Sequence, residues 1–322
     1  MASKVTVIGT GNFGSTVAFI LAMRGSCHEV VLRGRNINIA KGKALDMSQA
    51  ANAAREHTIV RAAEGPEDMA GSEIVVITAG APRTPGMNRD DLLLKNAKIV
   101  KNYALEIKEH APNAIVIVVS NPLDVMTYVA YKYTGFPRER ILGMAGILDA
   151  ARMAHFIYEK LGYGAGQIRA TVMGGHGDTM VPLPKFTTVA GVPIEDLFDS
   201  EEIGEIVRKT KNGGAQIVDL LGDGSAYYAP AKSTAVMVDA ILKDTKQIHS
   251  CAVYLDGEYG YKNIVSGVPA MIGAKGVEQI IEMTLKTLQK TRFKNSVQSV
   301  QDLVNVLYAS KFFDDLEKID EK

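Results

Sequence analysis

Six residues near the start, Gly9-Thr10-Gly11-Asn12-Phe13-Gly14, leave this chain few choices of fold. They follow an apolar, β-branched run, Lys4 to Ile8 (KVTVI). They open a segment, Asn12 to Arg24, in which Phe13, Val17, Ile20 and Leu21 recur at helical spacing. A strand that turns into a helix through G-x-G-x-x-G has the form of a dinucleotide-binding turn. The first glycine makes the turn, the second admits backbone close to a pyrophosphate, and the third lets helix and strand pack. The helix N-terminus, whose first amides have no partner inside the helix, then favours the anion. The alternative is a glycine turn with no ligand.

The pattern continues as strands alternating with helices. Glu29 to Leu32 is a second strand and Ile39 to Ala54 a second helix. Ile74 to Thr78 is a third strand, Leu92 to His110 a helix, and Ala114 to Val119 a fourth strand. A helix near Asp124 to Tyr133 and a short apolar run, Ile141 to Met144, follow. This alternation predicts a doubly wound parallel sheet covered on both faces, a Rossmann domain over residues 1–145. Beyond it the order changes. Helices are read at Ile147 to Leu161, Glu202 to Gln216, Ala229 to Leu242 and Ser296 to Phe312. They lie among strands at Ile168 to Met173, Phe186 to Val189, Cys251 to Leu255 and Asn263 to Pro269. Residues 146–322 are expected to form a mixed α/β domain packed tightly on the first, because no flexible linker lies between them.

The end of the second strand reads VVLRGRN, Val30 to Asn36. An acid is expected there, about 20 residues after the last glycine, to hold the ribose diol of NAD. Gly34 stands in its place, flanked by Arg33 and Arg35. Guanidinium groups suit a 2′-phosphate, so this stretch favours NADP(H) over NAD(H). The alternative leaves the arginines solvated and gives the ribose to Asn36.

Composition excludes several other classes. Thirty-six basic residues balance thirty-six acidic ones, which argues against a general attraction to nucleic acid or anionic membrane. Apolar runs are far shorter than the ~20 residues that cross a bilayer, and the start, MASKVTVIG, does not read as a signal peptide. Two widely separated cysteines, Cys27 and Cys251, fit a reducing compartment. The expectation is a cytoplasmic protein with a small-molecule substrate.

Three polar clusters lie against apolar surroundings. The first is the loop Ala81 to Arg89, with Arg83 and Arg89, at the carboxyl end of a strand, where open α/β sheets bind ligands. Its prolines, glycine and paired arginines suggest a closing lid. The second is Ser120-Asn121-Pro122. The third joins Asp149 and Arg152, three apart and so on one helical face, with Gly174-Gly175-His176-Gly177-Asp178. Singly each has a plain explanation, such as a solvated arginine or a helix ion pair. No cysteine or further histidine lies at ligand spacing from His176 and Asp178, so no metal is expected.

The motifs GTGNFG (9–14), GKALDM (42–47), ITAGAPRTPGMNRDDLL (77–93), VVSNPLD (118–124), GMAGILDAAR (143–152), MGGHGD (173–178) and GSAYYAP (224–230) resemble, in order and over nearly the whole chain, the lactate/malate dehydrogenase family. The likeness is nearest to the malate dehydrogenases of lactate-dehydrogenase-like type. The resemblance implies reversible oxidation of (S)-malate to oxaloacetate with NAD(P). His176 is then the general base, Asp149 holds its tautomer, and Arg152 grips the substrate's C1 carboxylate. Arg89 polarises the carbonyl and Asn121 bonds the same oxygen. Asn96 and Val119 to Asn121, with Ser120 between, match cofactor contacts. Arg83 matches the position where lactate dehydrogenases carry glutamine, so it faces the second carboxylate of oxaloacetate. Gly34 departs from the family's aspartate. The family also implies a homodimer or homotetramer. Three alternatives stay open: a lactate or other 2-hydroxy acid dehydrogenase, a hydrolase using NAD internally, and a non-catalytic NAD(P)-binding sensor.

Overall fold

β1 (Lys4–Ile8) lies at the centre of a sheet, paired in parallel with β2 (Glu29–Arg33) on one side and β4 (Ile74–Ile77) on the other. The computed structural model of the chain describes residues 3–81, 89–222 and 224–316, with Arg89 described by its backbone alone. β3 (Ile59–Ala62) extends the sheet beyond β2, and β5 (Ile115–Val118) and β6 (Ile141–Gly143) extend it beyond β4. The parallel order β3-β2-β1-β4-β5-β6 is that of a Rossmann fold. Every residue of β4 and β5 is buried, as strands covered on both faces require. The covering helices are α1 (Asn12–Met23), α2 (Ile37–Ala53), α3 (Arg89–His110) and α4 (Leu123–Thr134). Asn36, the residue weighed for the ribose, uses its side-chain oxygen to cap α2 by accepting from the amides of Asn38 and Ile39.

The second half begins with α5 (Gly146–Leu161), ended by Gly162 in the left-handed conformation. The strand read as one piece from Ile168 to Met173 is two. β7 (Ile168–Arg169) pairs with β10 (Thr188–Val189), and β8 (Val172–Met173) pairs with β9 (Val181–Pro182). β11 (Val192–Pro193) completes the smaller sheet. Two long helices, α6 (Ser200–Leu221) and α7 (Tyr228–Leu242), follow. Then come β12 (Gln247–Asp256), β13 (Lys262–Gly273), β14 (Gly276–Ile280) and α8 (Thr287–Ala309). β3 and β14 were not read from the sequence because charged residues, Arg61 and Glu278, lie inside the run.

The two halves are not separate sheets. β12 pairs antiparallel with β6, so the order runs β14-β13-β12-β6-β5-β4-β1-β2-β3, nine strands among the described residues. One apolar cluster accordingly contains Val7, Val116, Val253 and Val268 together. A boundary near residue 145 marks a change of connectivity within a common core.

β13 also fixes the segment that carries His176. The Gly174 amide donates to the Gly267 carbonyl (2.8 Å), and the Gly267 amide returns a bond to the Gly174 carbonyl (3.2 Å). The approach leaves no room for a side chain, since a Cβ on Gly267 falls 2.4 Å from the Gly174 oxygen. Gly267→Ala is therefore expected to lower unfolding free energy by about 2 kcal/mol, because backbone would have to move. Urea denaturation measures this, and an unchanged midpoint would show that the pairing is dispensable.

Candidate active site

The glycine turn meets each of its three demands by a different contact. Gly9 has φ +113°, and a Cβ there lies 2.4 Å from Thr78 Oγ1. A Cβ on Gly14 lies 2.0 Å from the Gly9 carbonyl oxygen, so α1 packs directly on the turn. Around Gly11 a Cβ meets nothing within 4 Å. The protein's own packing does not account for that glycine, whereas the close approach of a ligand does. Gly11 caps α1 without a side-chain hydrogen bond, which leaves the first amides for an anion. This arrangement fits a dinucleotide. Lys43, from the GKALDM stretch, supports the turn by donating to the Thr10 carbonyl (2.8 Å) and to Ser15 Oγ (2.9 Å). Asn12 is exposed and Phe13 half-buried against the core.

Gly34 packs against the same turn. A Cβ on it lies 2.7 Å from both Cγ2 and Oγ1 of Thr10. Arg33 turns toward α3 and pairs with Glu106 at 3.2 Å. Arg35 is exposed, and no ion pair to it is found among the described residues. Sequence reading missed Glu106 and Lys43, since nothing in their spacing ties α3 or α2 to the end of β2.

A second group of residues closes the ends of β4 and β5. Ser120 donates to the Ala79 carbonyl (2.5 Å), and the Val119 amide donates to the Ile77 carbonyl (2.9 Å). Asn96, 3% exposed, accepts from the Ala81 amide (2.8 Å) and donates to the Asn121 carbonyl (2.8 Å). These bonds hold Asn121, itself exposed, above the strand ends. Arg83 lies outside the described residues. Arg89 is placed only as the first residue of α3.

The third group is the most buried. Asp149 sits in the first turn of α5 with its side chain 2% exposed. One oxygen lies 3.0 Å from His176 Nδ1, and the other is 3.3 Å from Arg152 Nη1. A carboxylate only accepts, so Nδ1 carries the hydrogen and Nε2 is left as the base. Burial lowers the histidine's proton affinity, but the charge and hydrogen bond of Asp149, helped by the charge of Asp124, outweigh burial and Arg152. The result lies above the ordinary value of 6.5. Arg152 owes its space to two successive glycines on α6. A Cβ on Gly214 lies 3.3 Å from Arg152 Nη2, and one on Gly213 lies 3.6 Å from Arg152 Cδ. His176, Asp149 and Arg152, apart in sequence, thus form one cluster. Sequence reading passed over Asp124, inside the NPLD motif, although it bonds the His176 amide at 2.8 Å.

Such a cluster suits proton abstraction next to a bound carboxylate, at the edge of a nucleotide-binding sheet. Residues 3–143 match the sequence profile of the lactate/malate dehydrogenase NAD binding domain. Residues 147–309 match that of the lactate/malate dehydrogenase alpha/beta C-terminal domain. The chain belongs to the lactate/malate dehydrogenase family.

Its relatives within the family include a malate dehydrogenase of Sulfurimonas denitrificans, 62% identical over 97% of this chain and 98% of that protein. A crystal structure of Cryptosporidium parvum malate dehydrogenase superposes with a TM-score of 0.93 at 38% identity, over 96% of this chain and 100% of that one. The lactate dehydrogenase of the same organism, complexed with lactic acid and nicotinamide adenine dinucleotide, reaches 0.91 at 37% identity, over 95% and 98%. Fold alone therefore does not choose between the two substrates. Among the described residues no group of three or more His, Cys, Asp or Glu is placed to hold a metal, and no helix is long and apolar enough to cross a membrane.

Asp149→Asn leaves Arg152 and His176 without their buried partner and is expected to cost about 3 kcal/mol or more. The histidine's share of that stability is complete below its ordinary value of 6.5 and fades as pH rises through its raised folded value. The difference in unfolding free energy between wild type and variant should therefore narrow as pH rises above 6.5, as guanidinium titrations at several pH values measure. A constant difference would remove His176 from the pair.

Proposed function

We propose that this chain is an NAD(P)-dependent malate dehydrogenase that interconverts (S)-malate and oxaloacetate. The observation that carries the reading is the Asp149 carboxylate, buried and shared between His176 and Arg152. In this reading Nε2 of His176 takes the hydroxyl proton of malate, while Asp149 holds the tautomer and offsets the charge of the imidazolium. Arg152 grips the C1 carboxylate as a bidentate pair. Asn121 bonds the reacting oxygen, and Arg89 adds positive charge to it when substrate is enclosed. When bound, the nicotinamide supplies the hydride acceptor. Gly9, Thr10, Gly11, Asn12, Phe13, Gly14, Asn96, Val119, Ser120 and Asn121 line its side of the site. Residues 1–145 hold the cofactor, and residues 146–322 supply the base and the carboxylate grip.

Arg83 pairs with the second carboxylate. A guanidinium beside a methyl group would be left unpaired, which disfavours pyruvate by several kcal/mol. The names of the relatives support the dicarboxylate as well. For the cofactor, the reading favours NADP(H). Gly34 offers the ribose no acceptor, and Arg35 is exposed beside it. Because Glu106 already engages Arg33, recognition of a 2′-phosphate falls mainly to Arg35. Exposed apolar side chains on α1 (Phe19), α2 (Leu45), the end of α6 (Leu220, Leu221) and the start of α7 (Tyr228) support a homodimer or homotetramer. The proposed compartment is the cytoplasm.

Adding oxaloacetate to enzyme and reduced cofactor should lower absorbance at 340 nm, with a higher kcat/KM for NADPH than for NADH. Steady absorbance with both cofactors would sink the enzymatic reading, and a preference for NADH would sink only the cofactor assignment. Gly34→Asp should move the ratio toward NADH, provided Thr10 rotates away from the new side chain. An unchanged ratio would show that position 34 does not select the cofactor. Arg83→Gln should cost at least ~2 kcal/mol in kcat/KM for oxaloacetate, roughly thirtyfold. Wild-type kinetics in that variant would take Arg83 out of the pocket.

A further inference from the structure

Asp124 occupies the first turn of α4 and is 4% exposed, yet it lies next to the histidine loop contributed by the other half of the chain. Its Oδ2 accepts from the His176 amide at 2.8 Å. Its Oδ1 is buried and has no hydrogen-bond partner among the described residues. The loop is packed closely around it: a Cβ on Gly175 lies 2.9 Å from Val300 Cγ2 and 3.5 Å from Asp124 Oδ2. An idle carboxylate oxygen inside a protein is costly, because a buried acceptor forgoes water without compensation. Holding one backbone amide does not explain that cost. An asparagine would accept the same bond without carrying a charge.

The charges around His176 supply the reason. α5 contributes Asp149, which bonds the ring at 3.0 Å, and Arg152, 3.3 Å from the other oxygen of Asp149. α4 contributes Asp124. β13 and α8 meet the loop through Gly267 and through Ser296, whose hydroxyl accepts from the Gly175 amide at 2.8 Å, and neither is charged. Asp178, in the loop itself, is exposed and faces Lys211. Among these groups Asp124 is therefore a second buried acid beside the histidine, acting in the same sense as Asp149.

We propose that Asp124 is a positioning residue for the reaction, fixing the His176 backbone and placing a second carboxylate behind the imidazole. The proposal rests on the reading of His176 as the base. As the proton leaves the malate hydroxyl for Nε2, positive charge appears on the ring, and Asp124 offsets it without touching the substrate. Burial pushes the Asp124 carboxyl up to about 6, against the pull of the His176 amide and ring charge and with a further push from Asp149. The charge of each group thus favours the charged form of the other. Asp124 also ties the base to the NPLD segment, whose Asn121 faces the same substrate. A shift of α4 would thus move both together.

Two variants separate the charge from the tether. Asp124→Asn keeps an acceptor for the His176 amide and removes the charge. Asp124→Ala removes both. Histidine-selective NMR titration of the full-length protein, with the His176 resonance assigned by its loss in His176→Gln, reads the ring directly and needs no turnover. In Asp124→Asn the His176 midpoint should fall by about half a pH unit or more, and the acid limb of kcat/KM for malate oxidation should move down with it. In Asp124→Ala, kcat should fall at least tenfold relative to Asp124→Asn, with the thermal midpoint of each variant recorded alongside. A His176 midpoint equal to wild type in Asp124→Asn overturns the charge role. Equal kcat in the two variants overturns the tether. Absence of malate oxidation in the wild type would overturn the proposed activity alone, since the NMR midpoint still reports on Asp124.

Discussion

A carboxylate that water hardly reaches has to find its partners inside the protein, and Asp149 finds two, at 3.0 Å and 3.3 Å. That requirement orders much of the surrounding structure. α5 must begin where it does, so that Asp149 and Arg152 share one face of its first turns. α6 must cross close enough for Arg152 to lie against Gly213 and Gly214. The histidine loop must return from β8 to the same point. Each element is held by contacts that would be poor bargains alone, since a buried charge without its partner costs about 3–5 kcal/mol.

The loop itself is fastened on several sides. Gly174 is bonded to β13, Gly175 to Ser296 on α8, and His176 to Asp124 on α4 and to Asp149 on α5. Four separate elements therefore fix one imidazole. This is possible because β12 and β13 continue the parallel sheet instead of forming a sheet of their own. The glycine turn after β1 and, through the Gly174–Gly267 bonds, the histidine loop are consequently both tied to the same nine-stranded sheet. The same layout explains the glycines: Gly14 and Gly267 each stand where two backbones touch.

Much of this was legible in the sequence. The strand–turn–helix context of Gly9 to Gly14 pointed to the parallel sheet. The order of buried apolar runs then placed β1, β2, β4, β5 and β6 within a residue or so of their ends. His176, Asp149 and Arg152 stood out because polar residues interrupt apolar surroundings. Short elements were the weak point. β3 and β14 carry the charged residues Arg61 and Glu278 where an apolar run would mark a strand, and Ile168 to Met173 reads as one strand although its two ends pair with different partners. The basic strand end was read as two arginines facing a ligand. Glu106, distant in sequence, takes one of them.

Local chemistry written along the chain was enough to determine the fold class, the glycine turn between β1 and α1 and the polar clusters that the fold gathers. These depend on spacing over a few residues, where backbone geometry alone decides which side chains meet. Tertiary structure decided which charges are buried together, which arginine is already paired, and which carboxylate holds the backbone of the histidine. Those outcomes depend on desolvation and on contacts between residues far apart in sequence, such as Gly175 and Ser296, 121 positions apart. Only the assembled sheet brings such residues within reach of one another.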